Sequence, residues 1–120
     1  MYSRVDVHVE NLRKLGYKNL LHWLNSNEDH VYVGRTVKYV DGAKKHILSN
    51  PFTVKKYGRE ECLIHYKNWL DKQDIEEIEK LRGKTLGCWC AINEGCHVDI
   101  IIEKLINLSQ NNNNTIKEKN

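Results

Sequence analysis

Residues 84–102 read KTLGCWCAINEGCHVDIII. KTLGCWC reads as a central strand, and CHVDIIIEKLINL, which begins at Cys96, as the last helix. Residues two apart on a strand point the same way, so Cys88 and Cys90 share one face and Trp89 takes the other. Cys96 and His97 then open the helix. The end of a parallel strand and the start of the next helix meet at one edge of an open sheet, where ligands bind in such folds. A helix start also offers free N–H groups and partial positive charge. It can bind an anion or lower the pKa of a thiol.

Working outward, RVDVHV alternates Val5, Val7 and Val9 with polar residues, the period of a strand with one buried face. YKNLLHWLN sets Leu20, Leu21 and Leu24 at helical spacing beside Trp23, and NSNED breaks that helix. HVYVGR is a short strand ending at Gly34-Arg35. Asp41-Gly42 is a hairpin-type turn signal. SNPFTVKKYGREE reads mostly as loop, with Asn50 held extended by the following proline. REECLIHYKNWLDK is an amphipathic helix whose shared face carries Cys62, Leu63, Tyr66, Trp69 and Leu70. DIEEIEKLRG is a shorter helix, N-capped by Asp74 and stopped by Gly83. From Ser109 onward the chain is polar and of low complexity, which predicts a disordered tail over 109–120. Strands mixed with helices give the α/β class. The expectation is one small domain over 1–108, a few-stranded, largely parallel sheet flanked by helices.

The totals agree with one soluble domain. At 120 residues there is room for a single core. A net charge of +3 permits a nucleic-acid or nucleotide partner without arguing for one. No apolar run approaches the roughly 18–20 residues that span a bilayer, so no membrane partner is expected. MYSRVDVHVE has no apolar signal core, which predicts an unexported, cytoplasmic protein (host cytoplasm if viral). In that compartment the four cysteines should be thiols or metal ligands.

Three readings of the corner stay open. Cys88, Cys90, Cys96 and His97 are four zinc-type ligands close in sequence, although C-x-C-x5-C-H lacks the usual C-x2-C knuckle. Alternatively Cys90 or Cys96 is a reactive thiolate with His97 as its proton carrier, or the corner holds an anion. Thirdly, the cysteines are small core residues and His97 satisfies the helix start. Elsewhere, Arg35 offers a planar fork for phosphate or carboxylate after a close-approach glycine. Lys44, Lys45, Lys55 and Lys56 bracket the NPF loop and, with Arg35 and Arg59, outline a basic rim or a merely solvated surface. Asp99 sits in the first turn of the last helix, where a carboxylate is favourable for structural reasons as well. No Walker loop, G-x-G-x-x-G, H-E-x-x-H or G-x-S-x-G occurs.

The order of the segments adds something that no segment gives alone. NLRKLGYKNLLHWLNSNEDHVYVGR, NPF, YGREECLIHYKNWL, LRGKTLGCWC and CHVDIIIEKL together resemble a family of phages, bacteria and large DNA viruses. That family is catalogued as a domain of unknown function, numbered four-three-two-six. The resemblance runs over residues 10–106 and matches at Gly34, Arg35, Asn50, Pro51, Phe52, Arg59, Glu60, Cys88, Cys90, Cys96, His97 and Asp99. Val98 stands where family members usually have glycine, and the stretch before NPF is short and lacks their aromatic residue. The resemblance implies a small α/β domain with its shared residues gathered at one edge, and no activity. The expectation that follows is a nucleotide or other phosphorylated ligand held by Arg35, Asn50, Arg59 and Asp99. Cys90, Cys96 and His97 would lie at the pocket floor. Whether it is an enzyme, which oligomer it forms and whether zinc is present stay undecided. The alternative is a zinc-stapled domain, without catalysis, that contacts nucleic acid or a partner.

Overall fold

The computed structural model describes residues 3–38, 40–90 and 95–119, with side chains as far as residue 110. The elements in order are β1 (Ser3–Asp6), α1 (Val9–Lys14), α2 (Leu20–Ser26), β2 (His30–Tyr32), α3 (Val54–Tyr57), α4 (Arg59–Leu70), α5 (Ile75–Glu79), β3 (Thr85–Cys88) and α6 (His97–Lys119). The sheet order is β1-β3-β2 and both pairings are parallel. The α/β class and the central place of the KTLGCWC strand are as the sequence predicts.

Register fixes what each face of the sheet does. Arg4, Leu86 and Val31 lie abreast, as do Val5, Gly87 and Tyr32. The first row faces a core built from Tyr66 and Leu70 of α4, Ile78 of α5, and Val98, Ile101 and Leu105 of α6. The second row faces Leu12 of α1 and Leu20 and Trp23 of α2. The sheet is therefore covered on both sides, the usual condition of parallel strands. Gly87 is what lets α2 approach. A Cβ there would lie 2.8 Å from Trp23 Cη2 and from Val7 Cγ1.

Local chemistry sets the helix starts. The Asn19, Thr53 and Asp74 side chains accept backbone N–H groups of α2, α3 and α5, each satisfying a donor that the first turn leaves free. Asp74 is the predicted cap, and Gly83 turns the chain at a φ of 78°.

Two expectations are corrected. The first strand stops at Asp6, because its partner β3 ends at Cys88; Val9 begins α1 and is exposed. A four-residue helix, α3, interrupts the NPF loop. The last helix is assigned over His97–Lys119. Once a helix is nucleated, each further residue adds one backbone bond for one residue fixed, without needing an apolar face. No helix among the described residues is long and apolar enough to cross a membrane.

Candidate functional site

The carboxyl ends of β2 and β3 and the start of α6 enclose a cleft of about 530 Å³. β2 leads into Val33, Gly34 and Arg35. Gly34 has no room for a side chain, since a Cβ would meet the Tyr32 ring at 2.5 Å from Cζ. The Tyr32 hydroxyl donates to the Arg35 carbonyl at 2.5 Å and accepts from Trp89 Nε1 at 2.7 Å. This chain of bonds presents the Trp89 ring, 41% exposed, as one wall. Phe52 and Val54 contribute apolar surface opposite the sheet ends, and Arg35 and Lys55 supply the cationic groups. No carboxylate lines the cleft among the described residues.

At its floor lies the sulfur corner. The Sγ atoms of Cys88, Cys90 and Cys96 all lie within 4.8 Å of one another, and Cys88 and Cys96 are 3.3 Å apart. Cys88 and Cys96 are buried, while Cys90 is half-buried and reaches the cleft. Three such thiols could hold a metal ion. His97 also lines the cleft. Its Nε2 lies 2.6 Å from the Val33 carbonyl, which can only accept, so the proton sits on Nε2. Nδ1 keeps its lone pair and faces Cys96 Sγ at 3.6 Å. Burial holds the His97 pKa below the ordinary histidine value.

Two arginines brace the sulfurs. Arg4, on β1, has an almost fully buried side chain and meets Asp99 at 3.4 Å; its positive charge acts on the Cys96 and Cys88 thiols. Arg59 donates to the Gly95 carbonyl at 2.7 Å and helps to lower the Cys90 pKa. The thiols share their protons unequally. Hydrogen bonds from Cys88 and Cys96 hold the Cys90 pKa well down, with Arg59 assisting. Cys88 is pushed up by its hydrogen bonds to Cys90 and Cys96 and by burial. Cys96 is pushed up to about 11: the Cys88 hydrogen bond lowers it, but the Cys90 hydrogen bond and burial outweigh that.

The residues singled out in the sequence thus separate into groups. Arg35, Asn50, Cys90 and His97 share the cleft. Cys96 lies beneath it, sealed from solvent. The Asn50 amide is engaged in the loop itself, giving Nδ2–H to Cys62 Sγ at 3.2 Å and taking the Phe52 N–H at 2.9 Å. Arg59 and Asp99 are not among the lining residues; Asp99 Oδ2 accepts the Cys96 N–H at 3.2 Å. Val98, on α6, is wholly buried in the core. Arg4 had no place in the sequence-based site. Alternation along RVDVHV marks its face as solvent, which holds only for a sheet covered on one side. Asp6, the last residue of β1, lies 2.6 Å from His8, which is edge-on to Trp89.

The family model described as Domain of unknown function (DUF4326) matches residues 17–107. The chain belongs to this family. All four DUF4326 segments around the cleft, from Gly34-Arg35 to Cys96-His97, fall inside the match. A 43-residue stretch is 42% identical to "Uncharacterized protein R718" of Acanthamoeba polyphaga mimivirus, covering 34% of this chain and 33% of that protein. The chain therefore spans about a third of that curated relative, a viral homologue. No solved structure matches this DUF4326 chain.

Proposed function

We propose that the protein binds a nucleotide or a similar phosphorylated compound in the cleft. The observation that carries this is the lining: Arg35 and Lys55 beside an exposed Trp89, with no carboxylate among the described lining residues. A guanidinium fork suits phosphate oxygens, and an aromatic face suits a base, since stacking there contributes about 1–3 kcal/mol. The volume is in the range of small-molecule sites. Cys90 is the thiol a bound compound meets, so any covalent step falls to Cys90 with His97 beside it. Four unpaired cysteines suit a reducing compartment such as host cytoplasm.

Calorimetric titration with a panel of nucleoside mono-, di- and triphosphates tests the proposal. Arg35→Ala should weaken binding about 10- to 100-fold, the loss of one charge-assisted contact. Absence of binding across the panel, or unchanged affinity in R35A, refutes it.

A second reading has one observation in its favour, the convergence of three sulfurs. In it zinc staples the corner through Cys88, Cys90, Cys96 and His97, and the basic rim touches nucleic acid without catalysis.

A further inference from the structure

We propose that Cys88, Cys90 and Cys96 hold one zinc-type ion through three sulfurs, and that its fourth coordination position opens onto the cleft. This takes the metal from the second reading above, but makes the ion part of the binding site instead of a closed staple. It does not depend on which compound fills the cleft.

Four observations support it. In a tetrahedral site with Zn–S bonds of about 2.3 Å, sulfurs stand about 3.8 Å apart. The corner brings all three sulfurs within 4.8 Å without moving backbone, Cys88 and Cys96 at 3.3 Å. Small shifts of side chains reach the required geometry. Among the described residues the group of mutually close ligand atoms stops at three: His97 approaches Cys96 but does not join it. Its Nε2–H is already anchored on Val33, 2.6 Å away.

The sulfurs are also unequally covered. Cys88 and Cys96 are buried under α6, while Cys90 lines the cleft. The side of the ion away from the two buried sulfurs therefore faces the hollow bounded by Trp89 and Arg35. Finally, charge balances. Three thiolates and a divalent cation carry one net negative charge, and their thiol protons leave to solvent on binding. Arg4 pairs with Asp99, which accepts the Cys96 N–H at 3.2 Å, and Arg59 donates to the carbonyl of Gly95, the residue before Cys96. Such outer-shell donors orient thiolate ligands and offset their charge. A buried core of small hydrophobes has no use for two guanidinium groups, one of them with a side chain only 7% exposed.

The test uses full-length protein purified without chelator. Metal analysis should find about one zinc per chain. Cobalt replacement should give an intense thiolate-to-cobalt charge-transfer band and the visible bands of a tetrahedral site. Azide or imidazole should shift those visible bands, because the fourth position exchanges. His97→Asn should keep the full metal content, whereas Cys90→Ser should lose most of it; circular dichroism of C90S checks that it still folds. Wild-type protein without metal, and without a charge-transfer band on adding cobalt, overturns the metal site altogether. Iron with acid-labile sulfide overturns the single-ion assignment. Full metal content with visible bands indifferent to azide and imidazole, or a His97→Asn variant as metal-poor as C90S, overturns the open position and returns the ion to a four-ligand staple. The nucleotide titration, run on metal-loaded and chelator-treated protein, fails or succeeds separately from all of these.

Discussion

Tyr66 is wholly buried and donates its hydroxyl to the Leu48 carbonyl at 2.6 Å, tying α4 to the loop that leads to the cleft. Burial raises the hydroxyl's pKa far above its usual value, so it stays a donor. Removing it leaves a carbonyl without that partner, and Tyr66→Phe should cost about 1–2 kcal/mol in urea denaturation. A loss near zero would mean that the bond contributes nothing net. His46 makes a second prediction. Its Nδ1 accepts the Leu48 N–H at 3.0 Å, so protonation there breaks the bond. Its pKa lies below the ordinary value because of burial, opposed by Glu77 and reinforced by His97. The unfolded chain therefore takes up this proton first as pH falls. The His46 contribution is fully present above about pH 6.5 and declines below it toward the folded pKa. His46→Asn supplies an oxygen that accepts the same N–H but does not titrate. Its stability, measured between pH 7.5 and 5.5, should therefore fall less steeply than wild type (about 1.4 kcal/mol per unit of depressed pKa). An identical slope would remove His46 from the acid response. At this scale the sequence marked the sulfurs and Arg35 through their spacing, but Arg4 stayed hidden, as a charge on a strand face normally means water.

Among the elements, β3 was the most legible and the most constrained. Leu86 and Cys88 fill one core, and Gly87 passes under Trp23 on the other side. Gly87→Ala should destabilise by about 1–3 kcal/mol through overpacking, read as a lowered urea midpoint with unchanged m-value. Full stability in G87A would show that Trp23 yields freely. α4 was legible as well, because Cys62, Tyr66 and Leu70 repeat at helical spacing and are buried. Leu63 and Trp69, placed on the same stripe, are only partly covered. Two short helices, α1 and α3, were illegible for a physical reason. α1 buries only Leu12 and α3 buries nothing, so neither leaves a period in the sequence. Their existence depends on caps and neighbours instead of an apolar stripe.

In the molecule as a whole, the two cores lie on opposite faces of one small sheet, and the last described α6 residue packed against a core is Leu108. Arg82 reinforces that region, hydrogen-bonding the Leu105 carbonyl at 3.1 Å and the Ser109 hydroxyl. Truncation after Gln110 should therefore change unfolding free energy by less than about 0.5 kcal/mol, checked by denaturation of the shortened chain. A larger loss would assign the far end of α6 a packing role. The site was half legible: motif spacing named which side chains gather, but not how deep each lies. Depth depends on which strand ends abreast of which, and register cannot be read from a single strand.

β1 and β2 never touch; each bonds to β3 alone. A ribosome making this chain releases two strands that have nothing to pair with until residue 88 has emerged. Through that interval the greasy sides of α2 and α4 lack their covering layer, the kind of exposure that draws chaperones. Cys96 arrives only moments later. The domain therefore forms in a single late closure, in which the nascent polypeptide gains its sheet and its sulfur corner almost together.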